Sequence, residues 1–236
     1  MKTVALVASY APKPEVAGVV VAEIKKFCSR VVVFTTEDYP FDGCEVIKFG
    51  KDIKDRLTYE PRKWIVEHLS DDWDYVLYNE DDIFISEAAF RVAMTMQAQM
   101  EYPFAMGFNR YEIYQGNKYW IDQHPEHGIH TGNLGKAFIH KNETVWVPAN
   151  FHSGNFLLSK DYVRRIMEAG MFDTYFREKP NVYCGLSETA ASSVYRTVTK
   201  LLPIDFELVG CEHMTNKYCF SPNTPLTPDL KRILAS

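Results

Sequence analysis

The run Asp74-Tyr75-Val76-Leu77-Tyr78-Asn79-Glu80-Asp81-Asp82-Ile83-Phe84-Ile85 restricts the fold more than any other segment. An apolar strand leads into three consecutive carboxylates, and the chain is then apolar again. A strand alternates its side chains, so Glu80 and Asp82 are expected on one face and Asp81 on the other. Adjacent acids repel one another and persist in a fold only with compensation. A divalent cation is the usual compensation, because hard oxygen ligands suit Mg²⁺ or Mn²⁺. A solvated acidic turn is the alternative. The flanking apolar residues favour a buried strand end, which is where open α/β sheets bind ligands.

A chain of 236 residues has ample core for independent folding, and a single domain over residues 1–236 is expected. Its net charge of −5 argues against a nucleic-acid surface, which needs a basic face. The five cysteines (Cys28, Cys44, Cys184, Cys211 and Cys219) are an odd number without a C-x-x-C pair. That pattern suits a reducing compartment. The apolar part of the amino terminus is too short for a signal peptide and reads as a core strand. The longest apolar stretch, around residues 16–22, is interrupted by Glu23 and two lysines, so no transmembrane segment is expected. These features predict a cytoplasmic protein.

The first half alternates strand and helix. Strands are predicted over 3–8, 30–35, 44–49 and 73–78, and helices over 14–27, 60–69 and 88–100, the first opened by Pro14. The apolar runs in the strands are continuous, which implies a mostly parallel sheet covered on both faces. The second half changes character. Residues 107–155 are rich in Tyr, Trp, Asn, Gly and His, as expected of a segment that lines a site. Tyr111, Tyr114, Tyr119 and Trp120 offer apolar faces beside polar edges, the combination that binds sugars, with ordinary aromatic packing as the alternative. His124, His127 and His130 lie close together, but Pro125 and Gly128 oppose the regular helix that a zinc protease motif needs. Gly154 precedes an apolar strand and lets backbone approach a ligand. Ser159 is placed to cap a helix over 162–169, and a further helix start is read near Gly185.

Together these pieces resemble the GT-A superfamily of nucleotide-sugar-dependent glycosyltransferases, from the strand at Thr3 to His213. Glu80-Asp81-Asp82 is similar to the D-x-D element of that superfamily, and Ser153-Gly154-Asn155-Phe156-Leu157-Leu158-Ser159 to its glycine loop beneath the donor sugar. The resemblance implies a GT-A-like α/β fold, with a nucleotide-binding amino-terminal half and an acceptor-binding carboxyl-terminal half. It implies Asp82 as a ligand of Mn²⁺ (or Mg²⁺), Glu80 near the ribose or a metal-bound water, and His213 completing the metal shell. Ser9, Tyr10, Thr36, Glu37 and Asp81 would contact the nucleotide. Arg62, with Lys63, would meet phosphate, a solvated helix face being the alternative for both. Gly154, Asn155, Tyr111 and Trp120 would surround donor or acceptor sugar. Glu188 sits where the family has an x-E-D motif, but the chain reads Ser187-Glu188-Thr189. The implied reaction transfers a sugar from a UDP- or GDP-sugar to a glycan or other hydroxyl acceptor, with inversion if Glu188 is the base.

Three other functions fit parts of the sequence. A sugar-phosphate nucleotidyltransferase shares such a fold but needs a Gly-rich loop after the first strand, where this chain reads Ala8-Ser9-Tyr10-Ala11-Pro12-Lys13-Pro14. A metal-dependent phosphohydrolase needs a second metal cluster. A non-catalytic carbohydrate-binding protein explains the aromatic residues but not three acids at a strand end.

Overall fold

Every side chain of the segment Thr3–Ser9 is buried. A strand without a solvent face has to lie between two covering layers. The computed structural model, which describes residues 1–9, 14–114, 116–121, 136–140, 143–148, 154–170, 172, 190–191 and 193–215, puts this strand at the centre of the main sheet. In chain order the first half runs β1 (Thr3–Ser9), α1 (Pro14–Ile24), β2 (Arg30–Thr35), β3 (Glu45–Lys48), α2 (Glu60–Glu67), β4 (Tyr75–Glu80), β5 (Ile83–Ile85) and α3 (Glu87–Gln97). It continues through β6 (Phe104–Met106), β7 (Asn109–Tyr114), β8 (Asn117–Trp120), β9 (Lys136–His140), β10 (Glu143–Val147), β11 (Asn155–Ser159), α4 (Lys160–Glu168), β12 (Thr199–Pro203) and β13 (Gly210–His213).

The main sheet has the order β11-β4-β1-β2-β3. Its β1, β2, β3 and β4 are parallel, and β11 joins the edge antiparallel to β4. The period of two divides its side chains between two cores. Ala5, Val7, Val33 and Leu77 face α1 and α3, where Val20, Ile24 and Phe90 cover them. Val4, Leu6, Phe34 and Tyr78 face α2 and α4, where Trp64, Ile65 and Ile166 do the same. The chain is therefore the expected α/β structure, with a mostly parallel sheet and helices on both faces. Local signals set the helix starts. Pro14 opens α1, and the Ser159 hydroxyl accepts the Tyr162 amide at 3.2 Å to cap α4.

The later strands depart from the single sheet that the apolar runs suggest. They build two further four-stranded sheets, β6-β12-β10-β9 and β5-β13-β7-β8. These strands are short and mixed in polarity, so their partners are chosen by tertiary packing rather than by local pattern. The region expected to line a site supplies much of this, with β7 and β8 forming a hairpin around Gly116 at φ +77°. Among the described residues no helix is long and apolar enough to cross a membrane. Cys28 and Cys44 carry free thiols, whereas Cys184 and Cys219 lie outside the described residues.

Parallel strands bring their carboxyl ends to one edge, so β1, β2 and β4 finish together. The register pairs Ala8 with both Phe34 and Glu80, and Asn155 at the start of β11 with Asn79. Gly154, at φ +65°, lets β11 enter this edge closely. A Cβ there would stand 3.0 Å from Ile83 Cγ1 and 3.2 Å from Glu80 Oε2. Gly154→Ala combines a left-handed backbone with that crowding, so a loss of about 1–3 kcal/mol is expected. Denaturant unfolding of the variant measures it, and unchanged stability would show that the backbone here relaxes freely.

Candidate functional site

The acidic triplet is a junction between two sheets. β4 ends at Glu80, Asp81 and Asp82 form a turn, and β5 begins at Ile83. The turn breaks the strand alternation expected through these residues. Its backbone is tied on every side. The Glu80 amide donates to Gly154 O at 2.9 Å, the Asp81 amide to Ala8 O at 3.1 Å, and the Met214 amide to Asp82 O at 2.8 Å. From within, the buried Asn79 side chain donates to Glu80 O at 2.9 Å and to Ile83 O at 2.8 Å. The turn is thereby held in one conformation, and its carboxylates are presented from a rigid base.

His213 ends β13, which pairs antiparallel with β5 so that His213 faces Ile83 across the ladder. This brings the ring to the acidic turn, with Nε2 lying 3.2 Å from Asp82 Oδ2. On its other side Nδ1 lies 2.5 Å from Oε1 of Glu112. The Thr215 hydroxyl donates to Asp82 Oδ2 at 3.1 Å and lies 3.0 Å from Nε2. One histidine is thus flanked by two carboxylates, one wholly buried and one, Asp82, with a side chain 20% exposed. Burial favours the neutral ring, but hydrogen bonds to Asp82 and Glu112 outweigh it and raise the His213 pKa. Burial likewise pushes the Asp82 carboxyl up, and the bonds from His213 and Thr215 reverse that, leaving a net lowering.

Glu80 behaves differently. Its Oε1 is enclosed and has no hydrogen-bond partner among the described residues. Burial lifts its carboxyl to about 8, the charges of Asp82 and Asp81 adding to the rise while Arg110 and His213 oppose it. Two carboxylates of one turn are therefore held in opposite states, Asp82 ionised and Glu80 inclined to keep its proton. Among the described residues no group of three or more His, Cys, Asp and Glu side chains could by itself hold a metal ion. The donors nevertheless suit a hard divalent cation in kind. They comprise an ionised carboxylate, an imidazole nitrogen beside it, and a buried carboxylate oxygen without a partner among the described residues.

Other expected residues fall in several places. Ser9 is buried at the end of β1. Thr36 and Glu37 are half-buried beyond β2, where the Thr36 hydroxyl lies 3.2 Å from Glu37 Oε1 and Lys51 Nζ lies 3.7 Å from Glu37 Oε2. Asp81 is buried within the turn. Tyr10 and Glu188 lie outside the described residues, as do His124, His127 and His130. Four expectations need correction. Arg62 is buried rather than on a solvated face. Its buried guanidinium donates to Ala190 O and, at 2.6 Å, to Ser193 Oγ, so its charge anchors that segment. Lys63 is the exposed member of the pair and meets Glu60 at 2.6 Å. Asn155 is fully buried, with Nδ2 3.6 Å from Cys211 Sγ, rather than open to the surface. Trp120 is buried edge-on against Phe206, with ring centres 4.7 Å apart, which is core packing. Tyr111 is half-buried, meets Trp120 edge-on at 5.4 Å and has Lys118 Nζ over its ring at 4.1 Å, so a described neighbour already occupies one face.

Sequence reading missed Arg110, Glu112 and Thr215. Arg110 and Glu112 are two apart on β7, hence on one face, and both are buried. β7 runs parallel to β13 with Tyr111 beside Glu212, which carries Glu112 to His213. An Arg-x-Glu alternation in a strand of a sheet was the available signal. It was obscured by the aromatic residues around it.

The raised Glu80 pKa predicts a pH signature in protein stripped of divalent cations. Between about 4.5 and about 8 the folded protein keeps a proton that the unfolded chain has shed. Stability from this group is therefore full at low pH and is lost as pH rises through that window. Glu80→Gln should flatten the decline, gaining on the wild type from pH 5 to pH 8 in denaturant titrations. Parallel curves for the two proteins would place the Glu80 carboxyl at an ordinary pKa.

No protein-family model matches the chain, and no curated protein matches it in sequence. Among solved structures it is similar to a protein from Thermus thermophilus described as mannose-1-phosphate geranyltransferase. That match has 14% identity and a TM-score of 0.44, and covers 86% of this chain and 74% of the other.

Proposed function

We propose that the chain is a divalent-metal-dependent glycosyltransferase, moving a sugar from a nucleoside-diphosphate sugar (a UDP- or GDP-sugar) to a hydroxyl acceptor such as a glycan. The observation that supports this reading best is the approach of Asp82 Oδ2 to His213 Nε2 at 3.2 Å, on a turn at the carboxyl edge of a parallel sheet. Asp82 and His213 would hold Mn²⁺ (or Mg²⁺), with Glu80 near the ribose or a metal-bound water. Such a cation, when bound, supplies Lewis-acid neutralisation of the leaving diphosphate, worth roughly several kcal/mol.

The remaining work belongs to the chain's own residues. Ser9 at the end of β1, with Thr36 and Glu37 beyond β2, would meet the nucleoside at the edge that presents the acidic turn. Gly154 lets the entry to β11 lie directly against Glu80 and Ile83, at the edge where a donor sugar would lie. Asn79 prevents the turn from yielding when charge develops, because its amide group bonds the carbonyls at both ends of the turn. In this proposal Glu188 takes the acceptor proton, and the reaction inverts the anomeric centre.

Asp82→Asn keeps the side-chain shape and removes its charge. Transfer should fall by orders of magnitude while thermal unfolding stays cooperative, and His213→Ala should cost less, as one ligand among several. A thermal-shift panel of nucleotide sugars with Mn²⁺ or EDTA identifies the donor, since a ligand at about a hundred times its dissociation constant adds roughly 2.7 kcal/mol to stability. Acceptor-dependent release of nucleoside diphosphate is the expected turnover. Release of pyrophosphate from a nucleoside triphosphate and a sugar phosphate would instead identify a nucleotidyltransferase. Full transfer by Asp82→Asn with unchanged Mn²⁺ dependence would overturn the metal assignment.

A further inference from the structure

His213 has two ring nitrogens, and a metal site can use only one of them. Nε2 is the nitrogen on the Asp82 side, at 3.2 Å from Oδ2. Which nitrogen carries the proton in the neutral ring is decided by what the other one meets. Nδ1 meets Glu112 Oε1 at 2.5 Å, and Glu112 has no solvent exposure. The carboxylate comes from β7, whose parallel pairing with β13 continues through Cys211 beside Arg110 and Glu212 beside Tyr111. The contact is therefore set by sheet register rather than by a mobile loop. Arg110, buried on the same face of β7, adds a fixed positive charge near Asp82 and Glu80.

We infer that Glu112 is the positioning residue of the site: by accepting the Nδ1–H of His213 it fixes the ring with Nε2 on the Asp82 side, the nitrogen that would exchange its proton for a cation. This inference rests on the proposed metal role of His213. A carboxylate behind a ligating histidine fixes ring orientation and makes the ligating nitrogen more basic. Glu112 would never touch substrate. Its effect would pass through His213 alone, which separates it from a residue that only supports the strand.

The test is a double-mutant cycle on Mn²⁺ affinity, measured by titration calorimetry on full-length protein without substrate. Glu112→Gln should weaken Mn²⁺ binding by about ten- to a hundredfold in the wild-type background. In a His213→Ala background the same substitution should change affinity by less than about twofold, because the residue through which it acts is gone. Equal losses in the two backgrounds, or no loss in either, would overturn the inference. The Nδ1 proton of His213 in wild-type protein gives a second measurement that needs neither a variant nor a metal. In long-range ¹H–¹⁵N spectra of the metal-free protein, Nδ1 of His213 should carry a hydrogen-bonded proton. An Nδ1 without a proton would overturn the inference even if Glu112→Gln does not fold. If the wild type binds no Mn²⁺ at all, the metal reading fails by itself, and the Nδ1 proton still decides whether Glu112 orients the ring.

Discussion

The pinning of the turn between β4 and β5 is the constraint on which the rest of the site depends. Three consecutive acids would drive this segment into solvent if its backbone were free. Instead its amides and carbonyls are bonded to β1, to the entry of β11, to the end of β13 and to the Asn79 side chain. These bonds run to three different segments and are made in a buried place, where an unmade one would cost about 1–3 kcal/mol. The acids are therefore held where their repulsion has to be met by chemistry rather than by movement.

Electrostatics then divides the labour among nearly identical groups. Asp82 receives hydrogen bonds from His213 and Thr215, and its charge is stabilised. Glu80, two residues away, is enclosed beside the charges of its neighbours and is pushed towards its neutral form. Low local polarity magnifies both effects, since the same burial that penalises an unpaired charge strengthens a paired one. A cation brought to this place would reverse the balance for Glu80 by supplying the positive charge it lacks.

Much of the scaffold was legible from local pattern. The continuous apolar runs of β1, β2 and β4 announce strands covered on both faces, and Pro14 and Ser159 mark helix starts with their own backbone chemistry. The place of the acidic triplet at the end of an apolar strand was legible as well. The aromatic residues misled. Trp120 and Tyr111 have the chemistry of a sugar platform, but the same flat apolar surface packs a core equally well. Only their neighbours, Phe206 and Lys118, separate the two uses. Arg62 misled for a related reason: a helix residue next to an exposed lysine reads as surface until the segment at Ala190 is seen to lie over it.

What the sequence by itself determined has a short period: which residues of the first half form strands, that those strands are apolar on both faces, and where the acids fall relative to a strand end. These follow from backbone geometry and side-chain chemistry acting over a few residues. Tertiary structure alone decided how the later strands pair, and what stands behind the histidine that Asp82 meets. His213 and Glu112 are 101 residues apart in sequence. They meet because β13 inserts between β5 and β7, antiparallel to one and parallel to the other. Strand pairing of that kind is governed by burial across the whole fold, for which no local period exists.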